Sequence, residues 1–111
     1  MFKNICKILF RPLRQSEFTE IKISHSGNTL EISEEDTNAG MLYVYHLQAQ
    51  LQQKAIHRID KLQFDVYFSD GTHILIGHND YPAYLKTSQN LDGAQITVDW
   101  KDTKPPKFLN V

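Results

Sequence analysis

Apolar residues that recur every second position predict a strand with one buried face, and apolar residues at spacings of three and four predict a helix. This chain carries both patterns. Phe2, Ile5, Cys6, Leu9 and Leu13 fall at helical spacing, with Lys3, Asn4, Lys7, Arg11 and Arg14 mainly elsewhere. They predict a short amphipathic helix over residues 1–14, ended or bent by Pro12. Phe18, Ile21 and Ile23 precede the turn residues His25 to Asn28, and Leu30 and Ile32 follow them, which predicts a hairpin with one wet face. Val44, Leu47, Leu51 and Ala55 then predict the main helix within residues 38–57, capped by Asp36 or Thr37. Its opening, Met41 to Tyr45, is aromatic and β-branched and suits a short strand as well.

The clearest pattern runs from Leu62 to Gly77, where two alternating segments flank Asp70-Gly71. That dipeptide predicts a two-residue type I′ turn, because both central residues of such a turn need positive φ. The turn would set Phe68 opposite His73 and Val66 opposite Leu75. One face would then hold Phe64, Val66, Phe68, His73 and Leu75, and the other Gln63, Asp65, Tyr67, Ile74, Ile76 and His78. Tyr67, Ile74 and Ile76 side by side would form an apolar patch, available to the N-terminal helix, a partner or a second copy of the chain.

Beyond Pro82, residues 83–88 fit either a strand or a short helix. Asp92-Gly93 marks a turn, and Ile96, Val98 and Trp100 alternate as a last strand. Residues 101–111, with Pro105-Pro106, read as an extended tail. The expected fold is a single α+β domain over 1–111. It would have an antiparallel sheet of four to six strands, one long helix on a face and a short N-terminal helix.

Charge narrows the class of partner. Residues 1–16 carry four basic side chains and no acid, while the rest carry eight basic and thirteen acidic ones and so stand at −5. An acidic body argues against nucleic acid, whose phosphates must be neutralised, and for a basic protein partner. The basic amphipathic start would also suit a membrane surface, but three turns bind weakly. Lys7 interrupts its apolar run and no cleavage site follows, so it is not read as a signal peptide. With one cysteine and no apolar stretch of spanning length, the expected compartment is the cytoplasm.

No motif names a reaction, and neither a cofactor nor a metal is expected. His73 and His78, five apart, would point to opposite faces of a strand. His46 and His57 would lie roughly 16 Å apart along a helix. Cys6 reads as a small core residue. The acidic cluster Glu31, Glu34, Glu35 and Asp36, together with Asp65 and Tyr67 on the second hairpin, makes the candidate partner-binding set. The alternative is a small enzyme whose site assembles from His73, His78, Asp65 and Asp80.

In size, compact layout and lack of motifs the chain resembles the small immunity proteins that bacteria pair with contact-delivered toxins. That resemblance implies a non-enzymatic inhibitor that binds a toxin domain, often a basic nuclease, and blocks its active site. It assigns no residue a role.

Overall fold

The computed structural model describes residues 1–52, 60–90 and 93–111, and every regular element among them is a β-strand. The strands are β1 (Phe2–Pro12), β2 (Thr19–Ile21), β3 (Thr29–Thr37), β4 (Gly40–Gln50) and β5 (Leu62–Phe68). They continue with β6 (Thr72–Ile76), β7 (Lys86–Asn90), β8 (Gly93–Asp102) and β9 (Leu109–Asn110). All pairings are antiparallel, in the order β7-β8-β4-β3-β1-β5-β6-β9, with β2 also on β1. The α+β expectation is therefore wrong: the fold is all-β.

The N-terminal helix is instead the strand that joins the two halves of the sheet. Phe2 to Asn4 pair with β3, Ile8 to Phe10 pair with β2, and Ile5 to Pro12 pair with β5. Between Ile5 and Lys7 the register slips, so that Cys6 is an extra residue in a β-bulge. The bulge changes which parity faces inward. Ile5 is buried before it, and Ile8 and Phe10 after it, three positions on and five. An interval of three inside a strand imitates a helix turn. Cys6, expected in the core, is exposed.

A related ambiguity hides β4. Tyr45, Leu47 and Ala49 are its buried series, and Leu51 just beyond its end continues the period of two. Leu47 and Leu51 stand four apart, an interval that a strand and a helix share. Pairing with β3 on one edge and β8 on the other overrides the helix preference of Leu, Ala and Gln. The remainder of that expected helix, residues 53–57, lies outside the described residues, as does Asp92 of the later turn.

The second hairpin exists, one residue out of the expected register. Tyr67 faces His73, Val66 faces Ile74, Asp65 faces Leu75 and Phe64 faces Ile76. The connection is a three-residue loop, Ser69 to Gly71, in which Gly71 at φ +88° takes the left-handed position and its amide donates to the Phe68 carbonyl at 3.3 Å. A slip of one residue turns a whole strand over. Ile74 and Ile76 thus join Phe64, Val66 and Phe68 in the core, while Tyr67 stays outside with His73. The apolar patch of Tyr67, Ile74 and Ile76 does not form, and self-association through it is removed.

Other segments also change partners. The strands around His25 to Asn28 pair with β1 and β4 and not with each other. Buried Asn28 anchors that turn: its Nδ2 donates to the Ser24 carbonyl at 2.6 Å and its Oδ1 accepts from the Gln50 amide at 2.9 Å. Residues 86–90 are strand, and the expected tail returns to pair with β6 through Leu109 and Asn110. Inward side chains from both halves of the sheet form one hydrophobic cluster, so the sheet folds over on itself at β1.

Two local constraints are testable. Gly77, buried at φ +97°, sits where a Cβ would overlap the Leu62 carbonyl oxygen and crowd Ala83, whose backbone pairs with Leu62 at 2.9 and 3.0 Å. Gly40 has a φ of +121° but open space around it. Urea unfolding should place Gly77→Ala at least about 2 kcal/mol below Gly40→Ala, because both carry backbone strain and only the first adds overlap. Lys3 reaches across to the loop, its Nζ 2.7 Å from Asp70 Oδ2. Hydrogen bonds from Lys3 first, then from Thr72, hold the Asp70 carboxyl down at about 2. A depressed carboxyl stabilises the fold above its unfolded pKa, near 4, and stops doing so as pH falls through about 2. The melting difference between wild type and Asp70→Asn should be present at pH 5 and shrink towards zero by pH 2.

Candidate functional site

Strand alternation decides which predicted residues can act together. On β1, β5 and β6 the outward rows are Lys7–Tyr67–His73 and Leu9–Asp65–Leu75. Asp65 sits diagonally from His73, and His73 Nδ1 lies 2.8 Å from Asp65 Oδ1. A carboxylate only accepts, so Nδ1 carries the hydrogen and donates it. The imidazole stacks on the Tyr67 ring with centroids 4.7 Å apart and planes 7° apart. Lys7 Nζ stands 5.0 Å from the centre of the same tyrosine ring. These neighbours cover Asp65, which is only 7% exposed although it lies on the outer face. Desolvation, then the charge of Asp65 and a hydrogen bond to it, raise the Tyr67 phenol above its usual value.

This constellation contains two members of the alternative enzyme site and excludes the others. His78 lies past the end of β6, with Nε2 3.3 Å from Asp102 Oδ2 and its ring edge-on to Tyr81 and Trp100. Asp80 is exposed in the turn closed by the His78 amide and the Tyr81 carbonyl at 3.1 Å. Five hollows of the described surface are lined by residues other than Asp65 and His73. A base oriented by a carboxylate thus lies on the outer face of the sheet, apart from those hollows. Among the described residues no group of three His, Cys, Asp or Glu side chains is placed to hold a metal ion.

The acidic set is divided in a different way. Leu30 and Ile32 point inward, so Glu34 and Asp36 continue that row while Glu31 and Glu35 lie on the opposite face. β3 pairs with β1 only through Thr29 to Glu31, extended by the Ile32 amide to the Met1 carbonyl at 2.8 Å. β4 meets β8 only from Tyr43 onward. Residues 33–42 therefore form a two-stranded ribbon beyond both neighbouring strands, closed at its tip by Thr37 and Gly40. Glu35 lies 3.8 Å from Lys101, a pair exposed to water on both sides. Glu31, Glu34 and Asp36 have no ion pair among the described residues. The ribbon belongs to the β3–β4 half of the sheet and Asp65 and Tyr67 to the β5–β6 half, so the six residues do not make one surface.

Asp102 escapes sequence reading because residues 101–111 look like a tail. The signal was present: Asp102 is the next inward position after Ile96, Val98 and Trp100. Its partner His78 could be found only from the fold.

The Asp65–His73 pair predicts a coupling. His73→Ala should destabilise the protein by about 1–3 kcal/mol, because it takes one of two side-chain donors, His73 and Tyr67, from a buried carboxylate. The same substitution in an Asp65→Asn background should cost at least about 1 kcal/mol less, as read by a double-mutant cycle in urea.

Comparison with known proteins finds no match: no family model, no curated protein and no solved structure aligns significantly with this chain.

Proposed function

We propose that this chain is a non-enzymatic protein-binding module whose β3–β4 ribbon engages a basic protein partner. The observation that carries this reading is the projection of residues 33–42 beyond β1 and β8, with Glu34, Glu35 and Asp36 near the tip. A ribbon that reaches past the ends of its neighbouring strand pairings can enter a cleft. Glu34 and Asp36, which have no ion pair among the described residues, are desolvated with benefit only where a partner supplies a cation. Met41, 36% exposed at the tip, adds apolar contact. Acidic side chains also guard the free edge of β3 from Ser33 onward against indiscriminate strand pairing.

The finer form of the proposal is an inhibitor or immunity protein that neutralises a basic toxin domain in the cytoplasm. The charge distribution supports it, as does the exposed, unpaired Cys6, which suits a reducing compartment. The α+β layout that formed part of the immunity-protein resemblance is not the layout of this chain. No helix among the described residues is long and apolar enough to cross a membrane. The peripheral-membrane alternative required an N-terminal helix, and those residues are β1.

Charge reversal tests the reading. With the tagged chain as bait at low salt, a stoichiometric basic partner should be retained and released by high salt. Glu34→Lys, Glu35→Lys and Asp36→Lys together should slow its association by about 10–100-fold at low ionic strength. Reversing Glu17 and Glu20, which lie on or beside β2, should leave the rate within about twofold. A partner that binds the triple variant at the wild-type rate and salt dependence would overturn the proposal.

A further inference from the structure

Where the sheet folds over, its two halves leave a hollow of about 270 Å³ near the end of β8. Tyr45, Trp100, His78, Asp102, Lys104 and Lys107 line it, and Ile74, Leu75, Pro105 and Leu109 complete apolar walls. The volume is close to the lower limit of small-molecule pockets, about 300–1,000 Å³. Tyr45 and Trp100 face each other across β4 and β8, with ring centroids 4.7 Å apart. The Trp100 Nε1–H is already committed to the Tyr81 carbonyl at 2.7 Å, which leaves the indole as an apolar surface held in one orientation.

The polar groups are unevenly satisfied. Asp102 Oδ1 accepts from the Thr103 and Lys104 amides at 2.7 and 3.4 Å, and its Oδ2 faces His78. Tyr45 is 2% exposed, yet its hydroxyl has no hydrogen-bond partner among the described residues. Burial, and then the charges of Asp102 and Tyr43, push that hydroxyl up to about 12, so it remains a donor at any physiological pH. A buried O–H without an acceptor is a standing demand for one. Lys104 and Lys107 are exposed at the rim and form no ion pair among the described residues. With the Asp102 carboxylate served by two amides and an imidazole, and the Gln63 amide bonded to Arg11 and the Gly77 carbonyl, the hollow offers one hydroxyl donor and two ammonium groups. The two ammonium groups at the rim outnumber the one carboxylate in the wall, Asp102, so the mouth is locally positive on a chain whose net charge is −1.

We propose that this hollow is a binding site for a small carboxylate-bearing ligand with an aromatic or aliphatic body. The carboxylate accepts from Tyr45 and meets Lys104 and Lys107. The body rests on Trp100 and the apolar walls. The site is separate from the β3–β4 ribbon and does not depend on what the ribbon binds.

Trp100 is the sole tryptophan of the chain, so its emission reports on this wall. The experiment is a fluorescence titration of the full chain with 3-phenylpropionate and, in parallel, its neutral amide. The acid should give a saturable change and the amide should bind at least about tenfold more weakly. Tyr45→Phe, and separately Lys104→Ala with Lys107→Ala, should each weaken the acid at least about fivefold. Tyr45→Phe without ligand should melt no lower than wild type, as expected for loss of an unpaired hydroxyl. A lower melting temperature would mean that a resident water already satisfies the hydroxyl, and would overturn the proposal. So would the absence of a saturable change, equal binding of acid and amide, or unchanged binding by the variants. If Tyr45→Phe fails to fold, the lysine pair, which lies on the exposed rim, decides the matter alone.

Discussion

β1 gives one edge to β5 along most of its length and divides the other between β3 and β2. The rest of the architecture depends on that division. A strand that leaves one neighbour and takes up another has to bend, and a bulge supplies the bend by adding a residue to one side of the ladder. The extra residue at Cys6 lets the first part of β1 belong to the β3–β4–β8 half while the remainder belongs to β5 and β6. Without it the inward faces of the two halves would not meet around one core. The hollow between Trp100 and Ile74 is the place where that meeting is incomplete.

What was legible in the sequence, and what was not, follows from how far each pattern can be read locally. The alternation of Ile96, Val98 and Trp100 is uninterrupted, and β8 lies where it points. The hairpin at Asp70-Gly71 is also there, but glycine serves a two-residue and a three-residue loop equally, and nothing local chooses between them. That single residue of register moved Ile74 and Ile76 inside and brought His73 over Asp65. The interval of three across the bulge, and of four between Leu47 and Leu51, are compatible with a helix until pairing partners are known. Those partners come from distant parts of the chain. The acidic cluster was visible as composition. Its division between two faces, and its place on a projecting ribbon, were not.

The two halves of the sheet also divide the chemistry. The β5–β6 face keeps its polar groups for one another: Asp65 is covered by His73, and His73 by Tyr67. Such mutual satisfaction stabilises a sheet face and leaves little for a ligand. Glu34 and Asp36 on the β3–β4 ribbon, and the Tyr45 hydroxyl, by contrast, have no such partners among the described residues. Groups that the fold itself does not satisfy are where binding is best sought, and here they differ in sign. The ribbon is acidic, and the mouth of the hollow is basic.

The connectivity of β1 bears, finally, on how the chain reaches this state. Its main partner, β5, is made half a chain later, and β6 must then close on β5 before β9 can return to it. Pairings of such long range place a small all-β protein among slow folders, in the millisecond-to-second range. On the ribosome β1 emerges before β5 and waits through the synthesis of β2, β3 and β4 with its β5 edge open. During that interval Ile5, Ile8 and Phe10 have nothing from β5 to bury them. The basic residues interspersed among them, Lys3, Lys7 and Arg11, are then the safeguard of the nascent chain against pairing with a stranger.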